Sequence, residues 1–309
     1  MEEIGNIYIK ENKLFNKKLP VYIGQKRILR ELENVIEVCK KEKKVIPHIL
    51  FYGSRGAGKT QIAKYVADLS EHPFIDLTAG SLSVQSIGDL LCDLKKNTIL
   101  FLDEIHSLSR KISEELYSPM QSFVGHFKYD KEYFDVDIEP FTLIGATTNA
   151  GELEKPLLDR FVYSFFMDKY TTEELCQIIE VNPNCKKSYE PEAIKMIAKI
   201  AQNNPRLAVT TAIGCENFTR EQTVTIDTVN ELMEVRNINP DGVSKIQVDY
   251  LKLLIKEKKP IGSNHMSKIL EVPESTIENN IEPFLLQKQY ISRTGSGRII
   301  TQEGRRYLL

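Results

Sequence analysis

A chain of 309 residues, 41% of them hydrophobic, is long enough for two or three domains with a core in each, which excludes disorder as its general state. Lys and Arg number 41 against 43 Asp and Glu, a formal net charge of -2, so no molecule-wide positive field is available and any DNA contact must be local. The five cysteines (39, 92, 176, 185 and 215) include no Cys-x-x-Cys pair, and the five histidines are scattered, so reduced thiols in a cytoplasmic protein are expected and a metal held by side chains alone is not. The acidic opening segment Met1-Glu2-Glu3-Ile4 carries no signal-peptide pattern, and no run approaches the roughly 18 apolar residues of a membrane span.

In chain order, Ile28, Leu29, Leu32, Val35 and Ile36 recur at helical spacing and predict a helix over 25–40. The short apolar run 48–52 ends in a glycine-rich loop and predicts a buried strand, followed by a helix over 59–69. Further strands are expected at 74–77, 98–102 and 141–145, with helices near 86–94 and 112–123. The alternation of aromatic and charged residues over 127–138 predicts a hairpin, and 156–166 a short helix leading into an extended piece. Strand, glycine loop and helix in that order indicate an α/β domain with a mainly parallel sheet and helices on both faces. From Lys169 the texture is helical, opening on the capping box Thr171-Thr172-Glu173-Glu174 and continuing through 191–201, 205–218 and 227–235. After the turn Asn239-Pro240-Asp241-Gly242, helices over 246–257, 264–270 and 274–287 precede extended segments 289–293 and 298–301, the pattern of a winged helix. The expected divisions are 1–168, 169–240 and 241–309.

Gly53-Ser54-Arg55-Gly56-Ala57-Gly58-Lys59-Thr60 fits the complete phosphate-loop pattern. Its glycines, with Ala57, let backbone amides turn toward phosphate oxygens; Lys59 can reach the β- and γ-phosphates of ATP or the phosphates of ADP, and Thr60 can offer its hydroxyl to Mg2+. Asp103 and Glu104 end an apolar strand, where one carboxylate can hold the metal and its neighbour can orient attacking water. His106 fits either DNA coupling or a helix cap. In Gly145-Ala146-Thr147-Thr148-Asn149, Thr148 is the expected γ-phosphate sensor, with Thr147 and Asn149 as alternatives. Arg160, in Asp159-Arg160-Phe161, suits an arginine supplied to a neighbour's γ-phosphate, and Arg206, opening a helix of the second region, suits a link between nucleotide state and that region. Arg293, Arg298, Arg305 and Arg306 are the local cations expected to meet DNA phosphates.

With these residues in hand, the sequence resembles the RuvB family of branch-migration motors from Tyr22 to Leu309. The resemblance rests on Tyr22-Ile23-Gly24-Gln25, His48-Ile49-Leu50-Phe51-Tyr52-Gly53, Phe101-Leu102-Asp103-Glu104-Ile105-His106, the segment 140–148, Asp159-Arg160-Phe161, Ile281-Glu282-Pro283-Phe284-Leu285-Leu286 and Gly297-Arg298. It implies an AAA+ ATPase domain, a small helical lid and a winged-helix domain, assembled as a homo-hexamer around duplex DNA and driving branch migration of four-way junctions in recombination and repair. It also implies that Tyr22 and Ile23 line an adenine pocket, that Arg160 is a trans-acting finger and that Arg206 is the lid's sensor. A RuvA-like junction-binding protein is the implied partner of 124–139, and a RuvC-like resolvase stays open as a further one. The chain departs from the family at Ser54-Arg55, Leu158, Asn203-Asn204, Gly295-Ser296 and in its aromatic, acidic hairpin. The rival expectation is a DNA-binding nucleotide switch without sustained translocation.

Overall fold

The computed structural model describes residues 22–129 and 132–309; the expectation drawn for the N-terminal segment falls outside the described residues. The chain divides after Tyr170 into two compact units.

The first unit is built on a five-stranded sheet in the order β2-β3-β6-β1-β7, every pairing parallel. Its elements in chain order are α1 (Lys26–Glu42), β1 (Ile49–Tyr52), α2 (Lys59–Ser70), β2 (Phe74–Thr78), α3 (Val84–Cys92), β3 (Ile99–Asp103), α4 (Arg110–Ser122), β4 (Val124–Tyr129), β5 (Glu132–Asp137), β6 (Thr142–Thr147), α5 (Lys155–Leu158) and β7 (Tyr163–Phe166). The unbroken apolar runs of β1, β3 and β6 take the three central places, where both faces are covered, while the edge strand β7 alternates between half-buried and exposed. Successive residues serve opposite faces. Ile49, Phe51, Ile99, Phe101, Ile144 and Ala146 pack with α1 and α2, and Leu50, Leu100, Leu102 and Leu143 pack with α3, α4 and α5. β4 and β5 form a separate antiparallel hairpin, closed at its base by the Ile138 amide on the Phe123 carbonyl (2.8 Å). His48 is 6% exposed and ties three elements: its Nε2–H donates to the Met120 carbonyl of α4 (2.9 Å), and its Nδ1 accepts the Leu143 amide of β6 (2.8 Å).

The second unit begins with α6 (Thr172–Val181), β8 (Ser188–Tyr189), α7 (Pro191–Ile200), α8 (Pro205–Phe218), β9 (Thr223–Val224) and α9 (Ile226–Val235). The Thr171–Glu174 capping box forms as the sequence predicts. The two-residue parallel pair β8–β9 is not expected from sequence; buried Glu216 anchors it by accepting the Lys186 and Lys187 amides and the Tyr189 hydroxyl.

Beyond it come α10 (Lys245–Glu257), α11 (Ser263–Leu270), α12 (Glu274–Thr276), α13 (Glu282–Gln287), β10 (Ile291–Thr294), β11 (Gly297–Ile300) and α14 (Gln302–Tyr307). Their core joins Tyr250, Leu251, Leu254, Met266, Ile277, Ile281, Leu285, Ile291 and Ile300. The single helix expected over 274–287 is instead interrupted by a π turn at Ile277–Ile281. Pro283 supplies the reason, because it has no amide hydrogen and its ring clashes with the carbonyl four residues back. α14 was not expected. Gly297 opens β11 at φ 137°, with the Ile261 backbone 2.6 Å from where a Cβ would lie, so only glycine fits that turn of the wing. No helix among the described residues is long and apolar enough to cross a membrane.

Candidate nucleotide site

Three strand ends come together at the carboxyl edge of the sheet. The Gly53 amide donates to the Thr147 carbonyl (3.2 Å), which fixes the start of the phosphate loop against the end of β6, and β3 carries Asp103 to the same edge. Gly56 and Gly58 have φ of 81° and 91°, and Gly58 caps α2 without a side chain, leaving the helix's first amides to serve an anion. A Cβ on Gly58 would lie 3.0 Å from the Tyr22 hydroxyl and 3.1 Å from that of Tyr170. Lys59 is only 7% exposed, and its ammonium is held inside the loop by the carbonyls of Gly53 (2.9 Å) and Ser54 (3.1 Å). Thr60 follows in the first turn of α2. This donor set fits a nucleoside polyphosphate: amides at a helix start, a buried ammonium and an adjacent hydroxyl.

Burial raises the Asp103 carboxyl above the usual carboxylate range; the Glu104 charge adds to that shift, and the Lys59 charge and the Glu104 amide oppose it. Glu104 leaves the strand at φ 50°, a turn that aims its carboxylate at Thr148, whose hydroxyl donates to it at 3.2 Å and whose amide does so at 3.4 Å. The neighbouring Thr147 is fully buried and accepts the Asn149 amide (2.9 Å), while its hydroxyl is 2.8 Å from His106 Nδ1. Thr148, rather than Thr147, therefore touches Glu104. His106 braces the β6 end, a role neither of its expected ones describes.

Arg160 lies on the same unit, after α5. Its Nε donates to the Tyr117 carbonyl (2.8 Å), Nη1 to the Pro156 carbonyl (2.6 Å) and Nη2 to Gln121 (3.3 Å), with the guanidinium 4.5 Å from the Tyr117 ring centre. Arg206 belongs to the second unit, exposed in the first turn of α8. Tyr22 and Ile23 are half-buried at the start of the described chain. The Tyr22 hydroxyl sits 3.0 Å from that of Tyr170, which donates to the Ala57 carbonyl (3.2 Å), and Gln25 and Asp168 exchange two hydrogen bonds beside them. Tyr170 is a site residue that sequence reasoning missed, since no local pattern connects it to a loop more than a hundred positions earlier.

In the winged region, Arg305 is exposed on α14 and Arg293 half-exposed on β10. Arg298 departs from expectation: its side chain is only 13% exposed, caught between Glu282 (2.8 Å) and Glu278 (2.6 Å) instead of facing solvent.

Residues 14–167 match the family model of the Holliday junction DNA helicase RuvB P-loop domain, and residues 240–309 that of the RuvB C-terminal winged helix domain. The chain is 38% identical over 293 residues to the Holliday junction branch migration complex subunit RuvB of Nitratiruptor sp., covering 91% of this chain and 87% of that protein. It is 34% identical over 299 residues to the subunit of the same name from Mesomycoplasma hyopneumoniae, covering 93% and 94%. Among solved structures it resembles the Thermotoga maritima RuvB Holliday junction branch migration motor, with a TM-score of 0.81, 31% identity and coverage of 93% and 95%.

Proposed function

The chain belongs to the RuvB family, and from that premise we propose that it is an ATP-hydrolysing subunit of a hexameric ring that drives branch migration of Holliday junctions. The observation that carries the catalytic part is the Glu104–Thr148 contact at the strand edge that also bears the phosphate loop and Asp103. Lys59 and the loop amides bind the β- and γ-phosphates, and Tyr22, Ile23 and Tyr170 border the adenine. Thr60 and Asp103 would hold Mg2+, which when bound neutralises phosphate charge. Glu104 orients the attacking water, and Thr148 hands its hydroxyl between that carboxylate and the γ-phosphate. Arg160 serves the γ-phosphate of a neighbouring subunit, and Arg206 answers to nucleotide from the lid.

We assign 1–168 to the ATPase domain, 169–240 to the lid and 241–309 to the winged helix that meets DNA through Arg293 and Arg305. The hairpin 124–139 is the surface for a RuvA-like junction-binding protein; exposed Asp135 and Phe134 on β5 give it an acidic, aromatic character. The test is steady-state ATPase activity with and without a four-way junction and such a protein, at low salt because phosphate contacts weaken with salt. Strong stimulation that vanishes in Arg160→Ala supports the ring motor. Turnover indifferent to DNA in a folded, nucleotide-binding protein refutes it.

A further inference from the structure

Arg293 and Arg298 stand directly opposite each other in the β10–β11 register, an arrangement of like charges that is unfavourable unless something offsets it. The offset comes from Glu282, whose side chain is completely buried at the start of α13. One carboxylate oxygen accepts Arg293 Nε at 2.8 Å and Nη2 at 2.6 Å; the other accepts Arg298 Nε at 2.8 Å and the Tyr250 hydroxyl at 2.9 Å. Glu278 takes Arg298 Nη2 at 2.6 Å. A buried carboxylate without partners would be strongly unfavourable, and a flexible arginine at the edge of a hairpin would sample many rotamers. The four hydrogen bonds remove both problems together.

The two arginines are not equivalent in this arrangement. Arg298 is largely enclosed and doubly paired, which makes it the counter-ion of the buried acid. Arg293 is 49% exposed, and Glu282 grips only the Nε–Nη2 edge of its guanidinium. A guanidinium carries five N–H donors, so the Nη1 side remains for an acceptor outside the protein. Resting on the DNA-binding reading of the winged helix given above, we propose that Glu282 is a positioning residue for DNA binding: it clamps Arg293 edge-on so that its Nη1 side is pre-aimed at a backbone phosphate of duplex DNA. A negative charge buried in the DNA-binding domain then strengthens binding to a polyanion, the reverse of what net charge alone gives.

That reversal is the test. A labelled short duplex is titrated with the full-length chain by fluorescence anisotropy over a series of salt concentrations. Glu282→Gln makes the protein more positive by one charge, yet it is expected to weaken binding about tenfold, the size of a lost charge-assisted hydrogen bond. The slope of log affinity against log salt should fall by about one, as in Arg293→Ala, and the double variant should bind no more weakly than Arg293→Ala alone. Binding by Glu282→Gln equal to or tighter than wild type, or losses that add in the double variant, overturns the proposal. Should Glu282→Gln fail to fold, Arg293→Lys decides, because it keeps the charge and removes the gripped fork: weaker binding sustains the proposal and wild-type affinity overturns it. Failure of the unaltered chain to bind duplex or junction DNA at low salt would instead sink the DNA-binding reading itself.

Discussion

Glu104 and Lys59 are assigned separable work in the proposed site, and that separation can be measured. Glu104 contacts Thr148 and is proposed to orient water rather than to hold phosphate, so Glu104→Gln is expected to keep nucleotide affinity and lower turnover about 100-fold or more. Lys59→Ala removes the buried ammonium from the loop and is expected to weaken both binding and turnover. Equilibrium nucleotide binding set beside steady-state ATPase distinguishes them; near-normal turnover in both variants would refute the assignments. At this scale, sequence reveals what is contiguous. The phosphate loop and the Asp103-Glu104 pair each occupy neighbouring positions, so their chemistry can be read directly. Tyr170 reaches the loop across 113 positions to Ala57, and the enclosure of Arg298 depends on an acid 16 positions earlier, so neither has a local signature.

Among the elements, the central strands were legible because burial on both faces demands unbroken apolar runs, as β1, β3 and β6 show. The β8–β9 pair, two residues a side, is too short to leave a period, and the π turn before α13 is a response to Pro283 that the apolar spacing alone conceals. His48 shows how one side chain can secure three elements. It is buried as the neutral ring, and burial lowers its pKa from the ordinary 6.5. The unfolded chain therefore binds this proton more readily, so the ring's contribution to stability is present above about pH 6.5 and is lost as pH falls from there through the folded pKa. His48→Asn is expected to cost about 1–3 kcal/mol by leaving the Met120 carbonyl or the Leu143 amide unmet. It should also flatten the decline in melting temperature between about pH 7 and about pH 5.5. An unchanged pH profile in a folded variant would remove His48 from that account.

For the whole molecule, the proposed role of Arg160 as a finger supplied in trans would make hydrolysis a property of the assembly. Arg160→Ala alone is expected to lower turnover about 1000-fold. Mixed with Glu104→Gln subunits it should regain activity, because some interfaces then join an intact arginine to an intact acid. Absence of recovery in rings shown to contain both subunits would exclude catalysis across the interface. The motif order is what motivates this proposed division of labour, but it could not show what steadies the arginine.

That support is α4. Tyr117 and Gln121 hold Arg160, Met120 is fastened to His48, and one residue past the helix end the chain enters β4 of the hairpin. The guanidinium and the hairpin are thus mounted on a single helix of 13 residues. On the proposed roles of Arg160 and the hairpin, reciprocity would apply: by whatever factor a partner on the hairpin altered the hold of Arg160 on a neighbour's phosphate, that phosphate would alter the partner's affinity equally. On that reading, fuel and partner would each act as an effector of the other.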